Sequence, residues 1–224
     1  MATVVTVLNT KGGSGKSTVS TNLAGALQLD GHSVIIADSD SQGTARDWRR
    51  VQDDDAELPG VVGIDRPTLE KDTQGIAHAF DFIIIDGSAK LQEMVVSAIK
   101  AADVVLIPIQ PSAADIWAIS DMIEIIQTRQ KITGGRPQAC FLINRAIIGT
   151  NLAAEVDAAL SEYDIPVLSA RTHQRIAYAE ALAEGSTVVH ANQNGKAAAE
   201  ITAIKNELLD LIHGKAQEST VERR

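Results

Sequence analysis

Nine consecutive residues, Thr10-Lys11-Gly12-Gly13-Ser14-Gly15-Lys16-Ser17-Thr18, combine side-chain types suited to capturing an anion. Glycines let the backbone wrap closely around a phosphate. Their N–H groups then converge on the anion, helped by the N-terminus of the helix that follows. At the end of such a loop a lysine reaches the β- and γ-phosphates, the role expected of Lys16, and the hydroxyl of Ser17 is placed on Mg2+. The general form of this loop carries a glycine six residues before that lysine, and Thr10 stands there instead. A glycine-rich turn without a ligand is the bland alternative. Lys11 is a second lysine where Lys16 already serves the phosphates, and read alone it is a solvated loop residue.

Acids downstream supply what such a loop needs. Asp38 and Asp40 sit at alternate positions of Ala37-Asp38-Ser39-Asp40-Ser41-Gln42-Gly43, so on an extended segment they point to the same side. They follow an apolar run, and ligands of parallel sheets lie beyond the strands' C-terminal ends, so both acids are expected to face the phosphates. Capping of the next helix is the alternative. Ile83-Ile84-Ile85-Asp86-Gly87 ends another apolar run in an acid, a form that holds Mg2+ through water in phosphate-loop enzymes.

These residues must be gathered at one edge of a scaffold, and the chain alternates strand and helix throughout. Apolar runs predict strands at Thr3 to Leu8, Ser33 to Ala37, Val61 to Ile64, Phe82 to Ile85, Val104 to Ile107, Ala139 to Ile143 and Ile165 to Leu168. Continuous β-branched runs mark strands buried on both faces. Helices are expected at Lys16 to Leu29, Thr44 to Val51, Leu69 to Ala79, Leu91 to Ala101, Ala113 to Lys131, Leu152 to Tyr163, Gln174 to Glu184 and Lys196 to Ile212. The expected fold is therefore α/β, a mostly parallel twisted sheet with helices on both faces, in one domain over residues 1–215 and a polar tail over 216–224.

Composition narrows the rest. With aromatics at 3%, the core must come from Val, Ile, Leu and Ala. Trp48 and Trp117 are expected to be packing anchors. Cys140, the lone cysteine, lies in an apolar run and reads as a small core residue, so no internal disulfide forms and a reducing cytoplasm is the natural compartment. The opening residues form a short apolar strand, not a signal peptide, and no apolar run approaches a membrane span. A net charge of −9 argues against a constitutively basic nucleic-acid binder while leaving room for a local basic patch.

The loop resembles the deviant Walker A motif, KGGxGK followed by Ser or Thr, of the ParA and MinD family of P-loop ATPases, and the resemblance runs from Thr3 to about His213. It implies a P-loop fold that binds ATP or ADP with Mg2+ through Lys11, Gly12, Gly13, Ser14, Gly15, Lys16, Ser17 and Thr18. Lys11 would cross a dimer interface to the partner's phosphates. Asp40 would orient or activate the attacking water, Asp38 would support the metal shell or Lys16, and Asn144, at a strand end, would contact adenine, with an Asx turn as the alternative. Ser41 replaces a usual proline, and Gly87-Ser88 stands where the family more often has D-x-P, as in short plasmid ParA proteins of the ParF kind. Basic residues at Arg171, Arg175, Lys196 and Lys205 correspond to places that bind DNA without sequence preference, with scattered solvated charges as the alternative.

The function implied is partition of plasmid or chromosomal DNA. ATP would drive a sandwich homodimer that coats nucleoid DNA, and a ParB-type centromere-binding partner would stimulate hydrolysis. Three rivals share the motifs: a MinD-like membrane-cycling ATPase, an ATPase positioning another cargo such as a chemosensory cluster or microcompartment, and a metabolic enzyme of the same superfamily. The first needs an amphipathic anchor. Ile201, Ile204, Leu208, Leu211 and Ile212 have helical spacing, but the polar ending 218–224 makes a poor anchor and a packed surface helix fits better.

Overall fold

The computed structural model describes residues 1–89, 92–149 and 152–214. Six strands form a wholly parallel sheet: β1 (Thr3–Val7), β2 (Val34–Asp38), β3 (Gly60–Gly63), β4 (Phe82–Asp86), β5 (Val104–Ile109) and β6 (Gln138–Ile143), in the spatial order β3-β2-β4-β1-β5-β6. Between and after them run α1 (Lys16–Leu29), α2 (Thr44–Arg50), α3 (Leu69–Ile76), α4 (Gln92–Ala101), α5 (Ala113–Trp117), α6 (Ser120–Thr133), α7 (Leu152–Leu160), α8 (Ile176–Ala183), α9 (Val188–Ala191) and α10 (Lys196–Ile212). The expected α/β architecture is therefore present.

The β-branched runs are continuous because both faces of the sheet are covered. Val5, Val7, Ile36, Ile84, Leu106, Cys140 and Leu142 point to one face, where they meet Val19, Leu23 and Leu27 of α1 and Ile201, Ile204 and Leu208 of α10. Their neighbours Val4, Ile83, Ile85, Val105, Ile107, Phe141 and Ile143 point to the other, against Met94, Ala98 and Ile99 of α4 and Met122, Ile123 and Ile126 of α6. Cys140 is fully buried, and burial pushes its thiol up to about 12, as a core residue requires.

Three expectations need correction, and one further element has no expected counterpart. The segment Ile165 to Leu168 makes one bridge, Val167 to Phe141, and no strand; Pro166 offers a carbonyl to Phe141 but has no N–H to return. The expected helix Ala113 to Lys131 is two helices, broken at Ala118–Ile119, where the Thr10 hydroxyl donates to the Ala118 carbonyl at 2.8 Å. Trp117, expected as a packing anchor, stands 75% exposed at that break. Trp48 does anchor, buried with its indole N–H donating to the Ser186 carbonyl at 2.8 Å. The one-turn helix α9 has no counterpart among the expected elements; its N-cap is Thr187, whose side chain accepts from the His190 N–H. Leu91, expected to open the fourth helix, and the tail 216–224 lie outside the described residues.

Candidate nucleotide-binding site

The site lies at the C-terminal edge of the sheet, around β1 at its middle. Register alone aligns its acids: Val7 of β1 pairs with Asp86 of β4, and Asp86 pairs with Asp38 of β2, so the three strand ends finish at one level. The loop from Asn9 to Gly15 leaves β1 here and feeds α1. Gly13 and Gly15 take left-handed φ values of 77° and 92°, a conformation that favours glycine. A side chain added at Gly12 or Gly13 would meet nothing within 4 Å, so the loop's outer face is open to a ligand. Asn9 braces the loop's start: its side-chain N–H donates to the Pro108 carbonyl at 2.7 Å and its oxygen accepts from the Lys11 N–H at 2.8 Å.

Lys16 is buried inside this loop and its ammonium lies 3.3 Å from the Lys11 carbonyl. Burial lowers its pKa, and the nearby charges of Asp86 and Asp40 oppose the shift. Asp86 is fully buried, and burial pushes its carboxyl up to about 7, against hydrogen bonding by Ser17 and Ser20 and the charge of Lys16, with the charge of Asp38 adding to the rise. The Ser20 hydroxyl donates to Asp86 Oδ1 at 3.1 Å. Asp86 Oδ2 and Ser14 Oγ are buried with no hydrogen-bond partner among the described residues. A buried carboxylate oxygen left unpartnered beside a serine hydroxyl and an ammonium fits a divalent cation that carries phosphate, so Ser17 and Asp86 are the residues that would hold Mg2+.

Asp38 is differently employed. One oxygen accepts from the Asp40 N–H at 3.0 Å, and the other from the Arg46 N–H at 3.0 Å and its Nε at 3.3 Å. Both oxygens therefore take part in shaping the turn that carries Asp40. Burial raises its pKa, and the hydrogen bonds from Arg46 and Asp40 oppose the rise. Asp40 itself is partly exposed, within electrostatic reach of Lys16. Arg46 also donates to the Asp40 carbonyl at 2.8 Å, which ties this guanidinium to the turn.

Asn144, expected at the adenine, is buried against the phosphate loop. Its side-chain N–H donates to the Ser14 carbonyl at 2.6 Å and its oxygen accepts from the buried Thr172 hydroxyl. Sequence reasoning missed Thr172, which has no motif around it; Gln110, just past the end of β5, donates its side-chain N–H to the Gly13 carbonyl at 2.7 Å. Arg145, with a left-handed φ of 57°, brings its guanidinium to 3.5 Å from the same carbonyl.

The four basic residues expected to contact DNA are not alike. Arg171 pairs with Asp157 at 3.4 Å, and Arg175 pairs with Glu200 at 2.6 Å. Lys205 is buried and paired with Asp30, so it is withdrawn from any DNA surface. Lys196, at the start of α10, is exposed. No helix of the described residues is long and apolar enough to cross a membrane.

The family described as CobQ/CobB/MinD/ParA nucleotide binding domain matches residues 5–188. The maintenance of carboxysome distribution protein A of Halothiobacillus neapolitanus is 29% identical over 212 residues, covering 93% of this chain and 97% of that protein. The chromosome-partitioning ATPase Soj of Thermus thermophilus is 24% identical over 217 residues, covering 82% of this chain and 86% of that protein. The solved structure of the septum site-determining protein MinD of Pyrococcus horikoshii, complexed with Mg-ADP, superposes with a TM-score of 0.74 at 23% identity, over 94% of this chain and 97% of that one.

Proposed function

Because the chain belongs to the CobQ/CobB/MinD/ParA nucleotide-binding family, we propose that it is a ParA-type positioning ATPase that distributes a protein-built cargo along DNA. The chain is an ATPase that takes ATP and ADP with Mg2+. ATP closes two copies face to face, Lys11 of each reaching the other's phosphates. The closed dimer holds DNA without sequence preference at the nucleoid, and a cargo-bound activator stimulates hydrolysis and release. The observation that carries the cargo reading is the near end-to-end match to a carboxysome-distribution protein.

The chain's own residues divide the work. The loop N–H groups and Lys16 hold the β- and γ-phosphates, while Ser17 and Asp86 hold the metal. Held there, Mg2+ would supply positive charge that offsets the negative charge developing in phosphoryl transfer. Asp40, on the turn shaped by Asp38 and Arg46, orients the attacking water. Gln110 and Asn144 hold the Gly13 and Ser14 carbonyls back, which keeps the loop N–H groups turned toward the anion.

Partition of plasmid or chromosomal DNA, with a ParB-type centromere-binding partner, is the second reading, favoured by the match to Soj. Binding of a labelled, arbitrary DNA duplex with ATP, ADP and no nucleotide tests both. Retention only with ATP and Mg2+ is expected, and equal retention with ADP sinks the proposal. Deleting the gene in its host separates them: clumped protein assemblies with normal plasmid inheritance support the cargo reading, whereas lost plasmids with evenly spaced assemblies overturn it.

A further inference from the structure

A single buried hydroxyl links two of the groups that hold the phosphate loop. Thr172 is 2% exposed and lies between the end of β6 and α8, in neither a helix nor a strand. Its backbone is fixed without help from the side chain: the N–H donates to the Ile143 carbonyl at 3.2 Å, and the carbonyl accepts from the Ala146 N–H at 2.8 Å. The side chain adds two further bonds. Oγ1 accepts from the Arg145 N–H at 2.9 Å and donates to Oδ1 of Asn144. A hydroxyl carries one proton. With the Arg145 N–H aimed at the oxygen, that proton goes to Asn144, so the bonding runs in one direction. Asn144 in turn gives its side-chain N–H to the Ser14 carbonyl at 2.6 Å. The amide fits there because position 15 is glycine, where a Cβ would collide with Asn144 Nδ2.

That direction matters to a phosphate. In a trans peptide the C=O and the following N–H point opposite ways. Holding the Ser14 carbonyl toward Asn144 therefore turns the Gly15 N–H away from it, and holding the Gly13 carbonyl toward Gln110 and Arg145 turns the Ser14 N–H away from them. An Asn144 amide rotated by half a turn would set its oxygen against the Ser14 carbonyl oxygen, and that peptide would have to tilt. Arg145 leans on the same hydroxyl. Its left-handed φ of 57° is unfavourable for a residue with a side chain, and its N–H is held by Thr172 Oγ1. We propose that Thr172 is a positioning residue of the phosphate site: its hydroxyl fixes the Asn144 amide and the Arg145 backbone, and through them sets the two loop peptides whose N–H groups receive the β-phosphate. This role rests on the assignment of the loop to phosphates above, and adds to it a residue that acts only through others.

The test measures Mg-ADP affinity of the full chain by calorimetry. Thr172→Val keeps the side chain's shape and removes the hydroxyl, Thr172→Ser keeps the hydroxyl, and Thr172→Ala is a second deletion in case Thr172→Val folds poorly. Loss of the hydroxyl is expected to weaken Mg-ADP about 10-fold, the fold-change for one hydrogen-bonded contact, while Thr172→Ser binds within about 2-fold of wild type. Inosine diphosphate, which shares the phosphates and alters the base, should lose the same factor. In an Asn144→Ala chain, Thr172→Val should cost less than it does in wild type, because the two side chains act in one series of bonds. Unchanged Mg-ADP affinity in both hydroxyl-free variants overturns the role. So does an equal loss in Thr172→Ser, which would assign the effect to packing of the methyl group. A loss for ADP with none for inosine diphosphate overturns it by placing the effect at the base, and a full 10-fold loss in the Asn144→Ala chain overturns the route through Asn144. A wild-type chain that binds no Mg-ADP sinks the phosphate assignment of the loop together with the role of Thr172, whereas wild-type binding that no Thr172 variant moves sinks that role alone.

Discussion

At the scale of single residues, the site is built from charges that cannot be comfortable without a ligand. Asp86 is buried, unpartnered at one oxygen and pushed up to about 7. Below about pH 4 its carboxyl is protonated whether the chain is folded or not. Between about pH 4 and 7 the unfolded chain loses the proton first, so the folded state binds more protons and stability falls as pH rises through that window. Asp86→Asn removes the liability. The nucleotide-free variant is expected to match wild type near pH 4 and to exceed it at pH 8 by roughly 2 kcal/mol or more in chemical denaturation. Mg-ATP should stabilise wild type at pH 8 and not the variant. Lys16→Ala is expected to weaken nucleotide binding by roughly 3 kcal/mol, about 100-fold, measured by titration calorimetry.

Elements decide which of these residues are available. The face of α10 that carries Ile201, Ile204 and Leu208 packs against α1 and the sheet, so the helix that shows an amphipathic pattern in sequence is a core element. Ile204→Ala is expected to lower stability by about 2–4 kcal/mol in denaturant melts. The same packing buries Lys205 against Asp30. Lys205→Met therefore should leave ATP-dependent DNA retention at the wild-type level, whereas Lys196→Glu, on the exposed start of that helix, should weaken it and flatten its salt dependence. Between α5 and α6 the helical pattern reads through without interruption, and the break comes from a tertiary contact, the Thr10 hydroxyl on the Ala118 carbonyl.

For the whole molecule, the net charge of −9 and the phosphate loop set opposite expectations for nucleic acid. An acidic monomer repels DNA, so the proposed function requires that binding wait for a dimer that concentrates exposed basic groups on one surface. Retention of an arbitrary duplex should appear only with ATP and Mg2+ and should fall by at least about 10-fold between 50 and 200 mM salt, read by fluorescence anisotropy. With the apolar face of α10 already spent in the core, flotation with anionic vesicles and Mg-ATP should leave the protein in solution; flotation with the vesicles would revive the membrane-cycling rival.

Local rules made part of this protein legible from its residues alone. Glycine spacing, the doubled lysine and the apolar runs ending in Asp38 and Asp86 are short-range signals, because a strand-to-helix turn and a doubly buried strand each write their pattern within ten residues or so. The sheet, its covering helices and the place of the phosphate loop followed from them. What depended on residues far apart in the chain could not be read that way. Thr172 behind Asn144, Asp115 on Lys11, Asp30 on Lys205 and the break after Trp117 are separations of 28, 104, 175 and 108 residues brought to bonding distance. Whether a charge is free, paired or buried is settled by such contacts, and only the folded chain decides them.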